Sequence, residues 1–337
     1  MEALPEFEIL SPTTVAEVLA VRQAHPQARL LGGGTDLVVN IRRGIETPPV
    51  LIDMNRVAEL HAIKASARAL EIGASATLEE ISRHPGILEH FPVVAQAAAS
   101  IAGPTHRNMG TLGGNLCLDT RCIFYNQSQW WRSANNHCLK TTGEMCHVAP
   151  KSRGVCFATF SGDLAPALLT LDAEVDVAGP AGRRTLLLKD LYIGDARHDG
   201  ARSGPGRGDG KRYLALAPGE LVLGVRATAV PGLRSAYDKV RIRRSIEYPV
   251  AGVAVALRRE GENLADLRVA ITGTNPRPVL LEGTRDLCGG PLDGRVLHGL
   301  DALVRHQIMS MKTTFTPGHY RRRVAGVLAR RLLQRLW

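Results

Sequence analysis

The sequence predicts an α+β protein in two parts. A ligand-binding domain carries an inserted cysteine loop, and a C-terminal α+β domain of antiparallel sheet plus helices follows it. Three observations lead there. The first fifty residues alternate strand and helix around a Gly-Gly-Gly turn. Residues 108–163 hold a second glycine turn and five of the six cysteines. From about residue 235, three β-rich runs precede two long helical ones. The expected divisions are 1–54, 55–228 with the cysteine loop at about 117–157, and 229–337.

At 337 residues the chain is long enough for two or three domains. No apolar run is long enough for a transmembrane helix. The start, MEALPEFEIL, has neither the basic nor the apolar region of a signal peptide. A cytoplasmic protein that binds no membrane is expected. The net charge of +10 admits an anionic cofactor or an acidic partner, but aromatics at 4% are too few for nucleic-acid stacking platforms. Basic bunches at 241–244, 321–323 and 330–331 read as solvated faces.

In chain order, Ser11 can cap a first helix with Pro12 at its first position and Val15, Val18 and Leu19 on one face. Arg29-Leu30-Leu31 is a strand running into Gly32-Gly33-Gly34-Thr35-Asp36, and a helix follows at 37–41. Glycines there allow backbone N–H groups to turn towards an anion, although neither a Rossmann fingerprint nor a Walker lysine is present. Val50 to Asp53 is a strand behind Pro48-Pro49, and 70–73 is another. Thr77 and Glu80 form a capping box. Residues 94–101 are an alanine-rich helix leading to the second turn, Gly110-Thr111-Leu112-Gly113-Gly114-Asn115. Two anion loops in one domain could close on the two phosphoryl groups of a diphosphate. Valine at Gly33 or Gly114 should abolish such binding by blocking the diphosphate and any positive φ. A hairpin at 174–188, strands at 236–242, 250–257 and 266–272, and helices at 296–311 and 319–336 complete the chain. Residues 199–212 read as a flexible surface loop.

Residues 117–156, with cysteines at 117, 122, 138, 146 and 156, show no helical or strand period. A loop of roughly 40 residues needs something to order it. In a chain without export signals, clustered cysteines favour metal binding over disulfides. Only Cys117 and Cys122 approach zinc-type spacing, and spacing does not choose between zinc and an iron–sulfur cluster. Trp130 and Trp131 could shield such a centre or form the loop's own small core.

These motifs carry a resemblance. Residues 30–37, Arg107 to Asn115, and Ser161-Gly162-Asp163-Leu164-Ala165-Pro166 resemble the FAD subunits of the xanthine dehydrogenase family. The inserted loop is similar to that of the 4-hydroxybenzoyl-coenzyme A reductase branch, whose FAD subunit carries an extra [4Fe-4S] cluster. The resemblance implies a two-part FAD-binding domain of the PCMH/vanillyl-alcohol-oxidase type with an inserted iron–sulfur loop. It implies FAD contacts at Leu30, Leu31, Gly32, Gly33, Gly34, Thr35, Asp36 and Leu37, and at Thr111, Leu112, Gly113, Gly114 and Asn115. Ile101 and Val222 would lie near the flavin, Asp163 would meet the adenosine part, and Lys239 would be the lysine beside the flavin. Cys122, Cys138, Cys146 and Cys156 would be the cluster ligands, with Cys117 spare.

It further implies an electron-transfer subunit without catalytic residues for substrate chemistry. Ferredoxin electrons would pass through [4Fe-4S] and FAD to separate [2Fe-2S] and molybdenum subunits, in a dimer of heterotrimers that dehydroxylates 4-hydroxybenzoyl-coenzyme A. The alternative is the FAD subunit of an oxidative aldehyde, xanthine or carbon monoxide dehydrogenase.

Overall fold

The computed structural model describes residues 4–193 and 208–337. Strands β1 (Glu8–Leu10) and β2 (Arg29–Leu31) flank β3 (Val50–Asp53) in a parallel three-stranded sheet. Helix α1 (Val15–Ala24) packs Val15 and Val18 into a small core with Val50 and Ile52. Its cap is Thr14 rather than Ser11. Thr14 Oγ1 accepts the Glu17 amide at 3.2 Å, and the Glu17 carboxylate accepts the Thr13 amide at 2.7 Å. These two bonds start the helix beyond Pro12. The first glycine turn then leads into α2 (Leu37–Arg42).

A five-stranded antiparallel sheet follows, built from β4 (Ile63–Ala65), β5 (Ala69–Gly73), β6 (Glu174–Gly179), β7 (Gly182–Leu187) and β8 (Leu221–Thr228), in the order β4-β5-β8-β6-β7. Thr77 and Glu80 form the expected capping box on α3 (Leu78–Arg83). After α4 (Pro85–His90), α5 (Pro92–Ser100) buries Ala95, Ala97 and Ala98. Small residues there let α5 lie close to α3 and to the C-terminal sheet. Short helix α6 (Pro104–Arg107) precedes the second glycine turn, whose residues from Leu112 on form the start of helix α7 (Leu112–Leu116).

The cysteine insertion leaves and rejoins this domain at one neck. Arg121 and Thr159 exchange backbone hydrogen bonds, each 2.8 Å. Inside it α8 (Gln129–Ala134) is the single α-helix among the described residues. Trp130 is 74% exposed and so shields nothing, while Trp131 is half-buried against Phe124 at 6.4 Å. Part of the expected surface loop docks here instead of standing free. Asp209 accepts the Cys156 amide at 2.9 Å, and the Gly210 carbonyl accepts Lys140 Nζ at 2.8 Å. Residues 199–207 of that expectation lie outside the described residues. Helix α9 (Leu164–Leu169), buried throughout, returns the chain to the core.

The C-terminal part is an antiparallel sheet ordered β12-β11-β10-β9, from β9 (Arg234–Val240), β10 (Ala251–Glu260), β11 (Asn263–Thr272) and β12 (Val279–Leu280). Helices α10 (Gly294–Gln307) and α11 (Gly318–Leu336) cover one face. The helix expected to reach residue 311 stops at Gln307, and residues 308–317 cross to the cysteine insertion, where Thr313 accepts the Ile123 amide at 2.9 Å. Arg321 is not a solvated residue. It is 1% exposed and donates to the Val250 and Met311 carbonyls at 3.1 and 3.2 Å, to Thr313 Oγ1 at 2.6 Å, and to the Gly273 carbonyl. Burial lowers its pKa to about 10.

Candidate functional site

The two glycine turns pack directly on each other. A Cβ on Gly33 would fall 1.6 Å from the Met109 carbonyl oxygen, so only a bare α-carbon lets the backbones meet. Neither Gly33 nor Gly114 has positive φ; Gly34, at φ 70°, takes the left-handed conformation. Thr111 caps α7 by accepting the Gly114 amide at 3.2 Å. A Cβ on Gly114 would have no neighbour closer than that hydroxyl, also at 3.2 Å. Asn115 ties the second turn to the Ser161-Gly162-Asp163 turn, since its Oδ1 accepts the Leu164 amide at 3.0 Å.

Between these turns lies a cavity of about 1020 Å³, at the upper end of the range for small-molecule sites. Of the expected contact residues, Leu30, Gly32, Gly33, Gly34, Thr35, Asp36, Leu37, Ile101, Thr111, Gly113, Gly114, Asn115, Asp163 and Val222 line it. Three lie behind the wall. Leu112 is buried in the core, Leu31 accepts the Met54 amide at 2.9 Å, and Lys239 is buried with Nζ 3.0 Å from Asp163 Oδ1. Lys239 therefore meets a carboxylate that itself lines the cavity. Tyr237 also donates to Asp163 Oδ1, at 2.6 Å.

The wall's carboxylates are already neutralised. Asp36 pairs with Arg121 at 2.5 Å, Glu46 with Arg29 at 2.8 Å, Asp119 with Lys140 at 2.7 Å, and Glu247 with Arg243 at 2.8 Å. Glu220 pairs with Arg184 at 2.7 Å. Arg22, Arg43, Lys211 and Arg212 line the same cavity and pair with no carboxylate among the described residues. Arg22 Nε is buried without an acceptor, and its burial, with Arg29 nearby, lowers the guanidinium pKa. An uncompensated cationic wall beside two glycine turns suits a large anion. Sequence reasoning missed these residues and Tyr248, which also lines the cavity. They belong to no motif and converge only through the tertiary fold.

The insertion forms one side of the cavity, through Cys117, Leu118, Asp119, Arg121 and Asn126. Behind it Cys122, Cys138, Cys146 and Cys156 are all buried. Cys156 donates to Cys146, which draws the Cys146 thiol down to about 5 and pushes Cys156 up. Cys122 is raised to about 11, chiefly by burial, with Cys138 and Cys146 close enough to add to the effect. The expected ligand set is not closed on one point: among the described residues no three His, Cys, Asp or Glu side chains could hold a metal ion. Cys156, held protonated, donates to Cys146 here. The donor set still suits a multi-iron cluster, whose ligands stand further apart than those of a single ion. Cys122, Cys138 and Cys156 share one buried cluster, Cys146 is tied to it through Cys156, and the Tyr125 amide donates to Cys122 Sγ at 3.4 Å, a contact that favours thiolate.

Residues 5–227 match the FAD binding domain in molybdopterin dehydrogenase, and residues 235–336 match the CO dehydrogenase flavoprotein C-terminal domain. The chain belongs to this family of FAD-binding subunits. It is 30% identical over 274 residues to the aldehyde oxidoreductase FAD-binding subunit PaoB of Escherichia coli, covering 80% of this chain and 81% of that one. The carbon monoxide dehydrogenase medium chain of Hydrogenophaga pseudoflava is 27% identical, with 83% and 79% covered. In fold, carbon monoxide dehydrogenase from the same organism superposes with a TM-score of 0.77 at 22% identity, over 100% of this chain and 99% of that one. For an FAD-binding subunit the cavity is appropriate in size and in charge, because FAD carries a diphosphate and two large ring systems.

Proposed function

We propose that this FAD-binding subunit transfers electrons within a molybdenum-hydroxylase-type complex and performs no substrate chemistry itself. The observation that carries this reading is the single cavity lined by both glycine turns, with cations on its wall that pair with no carboxylate among the described residues. In this reading Gly32 to Thr35 and Thr111 to Asn115 hold the FAD diphosphate from two sides. Arg22, Arg43, Lys211 and Arg212 balance the ligand's charge. Ile101 and Val222 give apolar contact to a ring, and Asp163 accepts from ribose or adenine donors. Lys239 and Tyr237 fix the orientation of Asp163. FAD, when bound, supplies the exchange between one-electron and two-electron chemistry. The relatives' names, aldehyde oxidoreductase FAD-binding subunit and carbon monoxide dehydrogenase medium chain, support an oxidative complex of several chains, and the matched family supports a molybdopterin partner; a separate [2Fe-2S] subunit belongs to the same proposal.

The buried cysteines favour a second reading. A [4Fe-4S] cluster on Cys122, Cys138, Cys146 and Cys156 would make the chain the FAD subunit of a 4-hydroxybenzoyl-coenzyme A reductase, supplied by ferredoxin and assembled as a dimer of heterotrimers. Anaerobic purification of the complex from its native source, followed by two assays, separates the readings. Oxidation of an aldehyde or purine with an artificial acceptor supports the first. Reduction of 4-hydroxybenzoyl-coenzyme A by reduced ferredoxin supports the second. Turnover of either substrate by this chain alone would overturn the electron-transfer role.

A further inference from the structure

We infer that the cysteine insertion positions the flavin site: Arg121 and Arg132 grip the two ends of α2, so that order in the insertion governs retention of FAD. Helix α2 follows the first glycine turn, and its Leu37, Val39 and Asn40 line the cavity. At its start Asp36 occupies the N-cap position, yet its carboxylate caps no amide. Oδ2 instead receives Arg121 Nη2 at 2.5 Å and Asn40 Nδ2 at 2.9 Å, and Oδ1 receives the Tyr248 hydroxyl at 3.2 Å. A cap residue normally satisfies the helix's own first turn; this one is turned outwards to the insertion and the C-terminal domain.

The other end is held in the same way. The last carbonyls of a helix lack partners within it. Arg132 Nη2 donates to the Arg43 and Gly44 carbonyls at 3.1 and 2.7 Å. Arg132 is 2% exposed. Gln129, one turn earlier on α8, packs where Gly44 leaves room; a Cβ on that glycine would stand 3.2 Å from Gln129 Cβ. Ile45 then packs against the buried Cys122, Tyr125, Cys138 and Cys156. One face of residues 36–45 thus borders the flavin cavity and another borders the cysteine pocket.

Both arginines belong to the insertion, and Arg121 directly precedes Cys122 at the neck. The insertion has little core of its own, so bonds from iron to its thiolates would order it; this step rests on the cluster reading above. Ordering then presents both guanidinium groups to α2, and the coupling is reciprocal: FAD should also favour the ordered insertion.

The test is FAD affinity of the full chain, measured anaerobically by flavin fluorescence quenching before and after iron is removed with ferricyanide and a chelator. Loss of iron should weaken FAD binding by about 5- to 150-fold, the usual span of coupling between sites. Arg121→Gln and Arg132→Gln should weaken it comparably while iron content and the reduced EPR spectrum stay as in the wild type, and Arg121→Lys should recover part of the loss. Equal affinity with and without iron, in protein shown to have held a cluster, would overturn the inference. If no iron is found under any anaerobic condition, the cluster reading fails, and the variants alone decide. Weakened FAD binding at unchanged circular dichroism then supports the clamp, and wild-type affinity overturns it.

Discussion

Lys239 Nζ lies 3.0 Å from Asp163 Oδ1, and both side chains are almost wholly buried, at 2% and 4% exposure. The pair joins the C-terminal sheet to the turn that closes the flavin cavity. Lys239→Met should cost about 3–5 kcal/mol in the FAD-free chain, because it leaves a buried carboxylate whose remaining partner among the described residues is the Tyr237 hydroxyl. Adding Asp163→Asn should recover much of that loss. Denaturant unfolding of the two variants checks it; equal stability of Lys239→Met and wild type would refute it.

Gly33 and Gly114 should behave differently. Gly33→Ala drives a methyl group into the Met109 carbonyl and should destabilise the protein by about 3 kcal/mol or more, with loss of FAD. Gly114→Ala meets only the Thr111 hydroxyl, so it should keep most of its unfolding midpoint while losing flavin. Flavin content and denaturant midpoints measured together distinguish fold loss from site loss.

Glu79 ties α3 to the second glycine turn. It receives Arg107 Nε at 2.8 Å and Arg83 Nε at 2.6 Å, while Arg107 also holds the Ile101 carbonyl at 3.1 Å. The Arg107 hydrogen bond, above all, keeps its carboxyl below the ordinary value of 4.5. A depressed folded pKa means that the stabilisation is complete above 4.5 and is lost as pH falls through the lower folded value. The melting-temperature advantage of wild type over Glu79→Gln should therefore shrink below pH 4.5. An advantage that grows on acidification would show the sign to be wrong.

The spare cysteine separates the cluster set from the flavin wall. Cys117 lines the cavity, burial raises its thiol to about 12, and its carbonyl accepts the Tyr213 hydroxyl at 2.9 Å. Cys117→Ser should retain both iron and FAD, whereas Cys122→Ser should lose iron. Iron retained in Cys122→Ser and lost in Cys117→Ser would exchange their places.

The sequence was most legible where a local rule coincides with the tertiary result. The capping box at Thr77, the strand before Gly32 and the β10–β11 hairpin all follow from neighbouring residues. The glycine turns were visible as motifs, but their mutual contact was not, because Gly33 meets Met109 seventy-six positions away only in the folded chain. Arg321 shows the converse failure. Placed in a basic run, it reads as solvated, yet four acceptors from three segments enclose it. Lys239 was singled out as an electrostatic partner of the flavin, and the residue that takes up its charge, Asp163, lies in a different motif. Asp36 was legible only as part of the first glycine turn, and only the fold reveals that Arg121 and Tyr248 claim its carboxylate.

Flavin and iron content of the full chain, purified without oxygen and read by visible spectroscopy with metal analysis, tests the central claim most directly. The account predicts one FAD per chain, and broad iron–sulfur absorption beneath the flavin bands if the cysteine pocket holds its cluster. Flavin without iron would confirm the FAD-binding subunit and remove the reductase reading. A colourless protein that does not take up added FAD would contradict the account at its foundation.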